Sequence, residues 1–403
     1  MMNLTKTALI LALYSALPAM ASQQSISNNA FNNKADGVTS TITVVGDTID
    51  DTIASDTADE EISATTLVDD STNNEGDITS GEVTGATGSD QTAIESIRQD
   101  SHGNSVYNLS NYARRVNSET WTPGMKTNTA MSVRLQTLLD WNHASPGPID
   151  GGFGMNTKKA LINFQKIKGL PATGKMDMAT WQALNAGIPK DQPVLVSYTI
   201  TKDDVANAFT KLPEGAEAKS KLKALGYESI YEMLAERFHM DVAYLKKLNK
   251  SKAFKAGDII TVINTGASLD KPITRVHADI NEKILYAYNG DKLVATYPTT
   301  IGSANTATPN GKYKVVNRVK MPWYKATVGK DSGSPKTYML PPGPNNPVGV
   351  VWLGLSKPSY GIHGSPVPEG ISRQASLGCI RLTNWDVLEV FDNIKVGAVV
   401  EIS

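Results

Sequence analysis

Cysteine is almost missing from this sequence: Cys379 is the only one in 403 residues. An internal disulfide is therefore impossible, and metal-ligand spacings such as Cys-x-x-Cys or His-x-x-x-His do not occur either. Neither a glycine-rich phosphate loop nor a dinucleotide fingerprint is present. No stretch approaches the ~18 consecutive apolar residues of a membrane span. These gaps argue against disulfide-stapled, metal-dependent, nucleotide-dependent and membrane-spanning classes. The expectation is a chain with no cofactor, no metal and no transmembrane segment.

What is present begins with "MMNLTKTALILALYSALPAMASQQ". Lys6 precedes an apolar run from Ala8 to Leu17, and Ala19-Met20-Ala21 closes it with a small-x-small pattern. Residues 1–21 read as a secretory signal, too short to span a bilayer. In the oxidising compartment this implies, a lone cysteine is a mixed-disulfide partner, an inert buried thiol or a reactive nucleophile. Charge then divides the chain. From Ser22 to Asp100, 16 acidic residues stand against Lys34 and Arg98, a net of −14. Residues 101–403 hold 36 basic and 24 acidic residues, a net of +12. The acidic part is rich in Ser, Thr, Asn and Gly, with too little apolar surface to offset chain entropy. Residues 22–122 read as a disordered tether, with "STITVVGD" as a lone local strand. The basic remainder suits polyanions, of which charge alone selects none.

Between residues 126 and 187 the rhythm is helical. In "MSVRLQTLLDW", Val133, Leu135, Leu138 and Leu139 mark one face at spacings of three and four. "PGPIDGGFGMNT" forces a turn, Thr157 stands in capping position for "KKALINFQKIKGL", and "TGKMDMATWQALN" adds a third helix with Trp181 and Leu184 toward the core. The pairs Leu135-Gln136, Asp150-Gly151, Phe153-Gly154, Phe164-Gln165 and Thr173-Gly174, with Thr157, Ala160, Asp177, Thr180 and Trp181, resemble the peptidoglycan-binding type 1 module. Residues 194–266 read strand, helix, helix, strand. Leu248-Asn249 and Gly257-Asp258-Ile259 resemble a LysM module, with "ANAFTKLPEGAEAKSKLKALGYES" as an insertion the compact module lacks. His239 belongs to the helical pattern, as a packed or solvent-facing residue.

From Pro272 the texture turns to strands, and residues 272–403 read as a mostly β, β-sandwich-like domain. Asn289-Gly290 between two apolar runs signals a hairpin. One helix, Trp385 to Asn393 with Asn384 as its cap, interrupts the strands. The whole is a multidomain α+β chain: a small three-helix module, a LysM-like α/β segment and a mostly β catalytic domain. A nucleophilic thiol needs a base, because its ordinary pKa of about 8.5 leaves it protonated. Of the five histidines, His102 lies in the tether, His143 and His239 in the helical parts and His277 on an early strand. His363 in "YGIHGSP" has the glycine-rich setting that lets a backbone approach a reacting centre. Gly378, before Cys379, permits a turn that exposes the thiol, and the amides of Cys379 and Gly378 suit an oxyanion hole. Arg381 points to the side of Cys379 if the chain is extended, where a guanidinium suits a substrate carboxylate. Ser376 holds the loop rather than reacting.

These residues carry a further resemblance. "YGIHGSP…ASLGCIRL" resembles the active-site motif of the L,D-transpeptidase or YkuD family, and "MLPPGPNNPVGVVWLGLS" resembles the stretch before the histidine in Gram-negative members. The resemblance implies Cys379 as nucleophile, His363 as general base and the Gly364 carbonyl as the group orienting the imidazole. It implies cleavage of the terminal D-amino acid from peptidoglycan tetrapeptide stems through a Cys thioester, with transfer to an amine. The expected partners are peptidoglycan stem peptides and glycan, and not nucleic acid; the expected place is the periplasm of a Gram-negative bacterium. An L,D-carboxypeptidase, an enzyme anchoring an outer-membrane lipoprotein to the wall, and a non-catalytic wall-binding protein are the alternatives. Many members carry Ser-His-Gly-Cys where this chain has Leu377, so any second imidazole there is absent. "PWYKATVGKDSGSPKTYMLPPGPNNP" reads as a flap over the cleft, with Trp323 and Tyr324 on it.

Overall fold

The computed structural model describes residue 106 and residues 108–302, 308–329, 334–374, 376 and 378–403. The signal at 1–21, the lone strand in "STITVVGD" and the whole acidic stretch 22–100 lie outside the described residues. The tether expected to run to residue 122 is folded in its last part. Helix α1 (Asn111–Ser118) is capped by Ser110, whose hydroxyl accepts from the Ala113 amide. Leu109, Ala113 and Val116 are spaced by four and three and bury one face of it. Its Asn117 Oδ1 accepts from the Val194 and Leu195 amides at 3.0 and 2.8 Å, and Nδ2 donates to Leu195 O at 2.8 Å. A composition reading over a hundred residues averages away so short an apolar pattern.

Three helices follow: α2 (Thr129–Trp141), α3 (Met155–Lys168) and α4 (Met178–Asn185). Helix α2 is buried on all sides from Ala130 to Leu139, not on one face alone. Leu135, Leu138 and Leu139 pack with Leu161, Phe164, Trp181 and Leu184, while Val133 enters a second core. Each fully buried aliphatic side chain of this kind stabilises by about 1.5–3 kcal/mol. Two glutamines hold the turns in the same manner. Gln136 accepts from the Gly151 amide at 2.8 Å and donates to Gly152 O and Thr157 Oγ1 at 3.0 and 3.1 Å. Gln165 accepts from Gly174 N at 2.9 Å and donates to Lys175 O and Thr180 Oγ1 at 2.9 and 3.1 Å. Both glycines have positive φ, 78° and 65°. Thr157 therefore serves Gln136; α3 starts two residues earlier, after Gly154, with no side-chain cap.

The middle segment pairs β1 (Leu195–Thr199) antiparallel with β2 (Ile259–Ile263). Between them lie α5 (Lys202–Ala206), α6 (Ala216–Ser220), α7 (Ile230–Arg237) and α8 (Val242–Leu248). Asn249 fastens α8 to the sheet, accepting from Thr261 N and donating to Thr261 O, both at 2.7 Å.

The C-terminal part contains β3 (Ile273–Asp279), β4 (Ile284–Asn289), β5 (Lys292–Pro298), β6 (Gly311–Lys320), β7 (Tyr324–Val328), β8 (Lys336–Leu340), β9 (Val351–Leu355), β10 (Gly361–His363), β11 (Ile380–Arg381), α9 (Asn384–Asn393) and β12 (Ile394–Ile402). Eight of these strands form one sheet, in the order β11-β10-β9-β6-β12-β3-β4-β5, and β7 and β8 form a separate hairpin. Two-layer packing is achieved by this single sheet curling around one core, rather than by two facing sheets. Thr300, just past β5 at one edge, exchanges backbone bonds with Arg381 in β11 at the other, at 2.8 and 2.9 Å. Side chains from both edges and from α9 share that core: Tyr297, Ile362, Ile380, Val387 and Val390. The fully buried "VWLGL" of β9 runs through it. Asn289 and Lys292 close the β4–β5 hairpin around Gly290, which has φ +58°.

A partly buried polar junction joins the three parts. Ser145 Oγ donates to Asp386 Oδ2 at 3.0 Å, and His239 Nδ1 lies 3.0 Å from Asp140 Oδ2, its ring stacked on Trp385. His143 Nδ1 sits 3.3 Å from Glu389 Oε2, and Tyr297 donates to Glu389 Oε1 at 2.8 Å. Burial, with Asp140 close by, pushes the Asp386 carboxyl up to about 7, although Ser145, Thr383 and His239 pull it back. A carboxyl whose folded pKa exceeds its unfolded value binds more protons when folded, so its contribution falls as pH rises from about 4 to about 7. Asp386→Asn removes this penalty. Its unfolding free energy relative to the unmodified protein is expected to rise between pH 5 and pH 8, by on the order of 1–2 kcal/mol. A difference independent of pH contradicts this assignment.

Candidate active site

Sequence separates His363 from Cys379 by a loop, and the sheet brings them back together. Strands β10 and β11 are parallel, with Ile362 opposite Ile380 and His363 opposite Arg381. On its other side β10 pairs antiparallel with β9, setting His363 opposite Trp352. The Trp352 and His363 rings stack with centroids 5.6 Å apart. Gly361 allows this: a Cβ there would come within 2.5 Å of the Trp352 ring. Trp352 belongs to the apolar cluster of Tyr324, Ala326, Leu340 and Val348 against which Cys379 packs. One indole thus touches the surroundings of both His363 and Cys379.

His363 is 3% exposed. Its Nδ1 lies 2.7 Å from the Gly364 carbonyl oxygen. A carbonyl only accepts, so Nδ1 carries the proton and Nε2 is left as the basic nitrogen. Burial pulls the imidazole down to about 3, the Arg381 cation adds to this, and the Gly364 bond opposes it. The ring is therefore neutral at physiological pH.

Cys379 is half-buried, with Sγ 3.7 Å from the Ser359 carbonyl oxygen. Ser376 ties the turn: its hydroxyl donates to Cys379 O at 2.6 Å and accepts from Gly378 N at 3.3 Å. Gly378 has φ +107°. Its amide faces Ser376 Oγ, so an oxyanion role for Gly378 requires that bond to open. Arg381 Nε is buried and has no hydrogen-bond partner among the described residues. Burial lowers the Arg381 pKa, while Cys379 and Tyr324 close by support its charge. Such a donor suits a carboxylate brought by a ligand. In the hairpin, Tyr324 turns inward to the Cys379 cluster, and Trp323 is 50% exposed. Leu377 lies outside the described residues. His277 is remote from this centre, bonded to Ser403 Oγ at 2.8 Å.

Asn384 escapes the sequence reading. Thr383, not Asn384, caps α9, accepting from Asp386 N at 3.1 Å in the Thr-x-x-Asp spacing that signals such a cap. The Asn384 side chain turns inward instead. Its Oδ1 accepts from Val350 N at 3.3 Å, and its Nδ2 donates to Pro344 O at 3.2 Å. A Cβ on Gly349 or Gly364 would land on Oδ1. Trp352 is likewise unmarked, hidden in an apolar run. Among the described residues no group of three or more His, Cys, Asp or Glu side chains converges as metal ligands, and no helix is long and apolar enough to cross a membrane.

The model of the YkuD L,D-transpeptidase catalytic domain matches residues 273–402, and that of a peptidoglycan-binding domain matches residues 132–184. A Bacillus licheniformis protein named as L,D-transpeptidase YkuD is 36% identical over 129 residues, 32% of this chain and 65% of that protein. Its Bacillus subtilis namesake is 30% identical over 175 residues, 42% of this chain and 91% of that protein. The Escherichia coli L,D-transpeptidase ErfK/SrfK is 31% identical over 155 residues, 37% of this chain and 50% of that protein. Among solved structures, the catalytic domain of an Enterococcus faecium L,D-transpeptidase is 22% identical, covering 34% of this chain and 100% of that one at a TM-score of 0.27.

Gly361→Ala tests the Trp352–His363 stack. The added methyl must push the indole aside, with an expected stability loss of about 1–3 kcal/mol. Thermal unfolding measures it; an unchanged melting temperature means that the indole moves at no cost.

Proposed function

The chain belongs to the L,D-transpeptidase family, and on that premise we propose that it cuts the terminal D-amino acid from peptidoglycan tetrapeptide stems and passes the acyl group to an amine. The observation that carries this reading is the neutral His363 imidazole, fixed by the Gly364 carbonyl on a strand paired with the one that follows Cys379. The Cys379 proton passes to Nε2, and the thiolate attacks the carbonyl of the third stem residue. The tetrahedral oxyanion collapses with cleavage of the C–N bond, and the imidazolium returns its proton to the departing D-amino acid nitrogen. The acceptor amine then gives a proton to Nε2 and attacks the thioester, and the C–S bond breaks. A base near pH 3 is weak in isolation, but here the proton transfer produces a thiolate–imidazolium pair, each charge stabilising the other. The Arg381 cation that disfavours a lone imidazolium also favours the thiolate.

In this reading residues 1–21 direct export and the enzyme works in the periplasm of a Gram-negative cell. The module matched at 132–184 supports peptidoglycan as the partner. We read residues 194–266 as LysM-like, with α7 and α8 as the helix pair of such a module, although α5 and α6 also lie between β1 and β2. The insertion in this segment, however, lies on the C-terminal domain, where Leu225 N donates to Pro342 O at 2.9 Å, so we assign it a bracing part. Water as acceptor would make the enzyme a carboxypeptidase, and a protein lysine an anchoring enzyme for an envelope lipoprotein.

Mass spectrometry of disaccharide-tetrapeptide incubated with the full chain separates these outcomes. Cross-linked dimers are expected, absent with Cys379→Ala and reduced about 10²–10⁴-fold with His363→Ala. Tripeptide without dimers points to hydrolysis or a protein acceptor. Unchanged substrate with the unmodified chain contradicts catalysis and favours a wall-binding protein.

A further inference from the structure

We propose that Glu236, on α7 of the middle segment, is a positioning residue for the Cys379–His363 centre, acting through the side-chain amide of Asn384. The inference rests on the reading above and adds to it a residue 127 positions before the base, outside the span 273–402 of the catalytic-domain match. Glu236 Oε2 accepts from Asn384 Nδ2 at 3.0 Å, and Oε1 accepts from Tyr227 OH at 2.8 Å. Both carboxylate oxygens thus accept from side-chain donors in part-buried bonds.

The geometry determines what this bond does. Asn384 Oδ1 accepts from Val350 N, so the amide cannot flip without losing that bond. One Nδ2 hydrogen reaches Pro344 O, and the other reaches Glu236. The amide is saturated and fixed. Its Oδ1 lies against the α-carbons of Gly349 and Gly364, where no side chain fits. Gly364 in turn supplies the carbonyl that takes the His363 Nδ1 proton. The path runs Glu236, Asn384, Gly364, His363, with a hydrogen bond at each end and van der Waals contact in the middle. Without Glu236 one Nδ2 hydrogen is buried unpaired. Its recovery requires the amide to rotate, and Gly364 is free to follow.

A second grip supports the same loop. Asn345 N donates to Leu225 O at 3.0 Å, and Asn345 Nδ2 donates to Gly226 O and Glu232 Oε1 at 3.0 and 2.6 Å. Residues 225–232 therefore hold residues 342–345 through backbone and side-chain bonds, just before the strand that carries Trp352. Burial pushes the Glu236 carboxyl up to about 7; Tyr227 and Asn384 lower it, Glu232 raises it and His239 lowers it. The link tolerates either protonation state. A proton on Oε1 can be donated to the Tyr227 oxygen, and Oε2 still accepts from Asn384.

The test is alkylation of Cys379 by iodoacetamide between pH 5 and 9, followed by intact mass on the full chain. As the only cysteine, it reports the thiol without a substrate. Glu236→Met keeps length and volume but replaces the carboxylate by a weak thioether acceptor; the rate at pH 7 is expected to fall about 10-fold, as for a reactive group displaced by a fraction of an ångström. Glu236→Gln accepts from Asn384 through its own carbonyl and is expected to restore the rate. Tyr227→Phe loses the part-buried hydrogen bond on the far side of Glu236 and is expected to lower stability without changing the rate. Asn384→Asp sets a carboxylate against Glu236, is expected to slow alkylation as Met does, and serves if the Met form does not fold. Wild-type rates in both Glu236→Met and Asn384→Asp overturn the proposal. If His363→Ala also alkylates at the wild-type rate, the base assignment itself fails; dependence on His363 without dependence on Glu236 refutes this inference alone.

Discussion

A buried imidazole has two ways to be neutral, and the Gly364 carbonyl 2.7 Å from Nδ1 selects one of them. Everything around this bond serves to hold it. Trp352 covers one face of the ring, Gly361 makes room for the indole, and Gly364 carries no side chain because Asn384 occupies that space. The neutral ring has a thermodynamic cost. A histidine whose folded pKa lies near 3 binds fewer protons folded than unfolded, so its burial weakens the fold as pH drops below 6.5. Asp386 and Glu236, both near 7, act in the opposite direction across most of that range.

The accessory parts are not appended to the catalytic sheet at arm's length. Residues 143–149 bond by backbone to Thr296 on one side and to His239 and Asp241 on the other. Glutamines 136 and 165 stiffen the turns on either side of α3. Gln136, Thr157, Gln165 and Thr180 of the peptidoglycan-binding motif are thereby bonded to one another within the fold. Exposed Phe153 and Met155, which no such bond employs, remain on the surface between them.

Local signals were readable and long-range ones were not. The Asn289-Gly290 hairpin, the three short helices and the glycine-flanked histidine are written within a few residues each, and turn chemistry or periodicity suffices to read them. The strand texture indicated a β domain, but the meeting of Thr300 with Arg381 depends on the register of eight strands. Asn384 reads as a helix cap because that residue type favours caps; Thr383, one position earlier, makes the cap bond and leaves the amide for Glu236, 148 residues away. α1 was hidden because three apolar residues do not change the composition of a polar stretch. The sequence also marked Gly378 as an oxyanion donor, whereas its amide faces Ser376.

The most direct test of this account is the ¹⁵N spectrum of the His363 imidazole in the Cys379→Ala chain, followed from pH 8 to pH 4 and assigned by its loss in His363→Gln. The account predicts a neutral Nδ1–H tautomer that persists to the acid end of that range. A ring that titrates near the ordinary value of about 6.5, or one that carries its proton on Nε2, would contradict it.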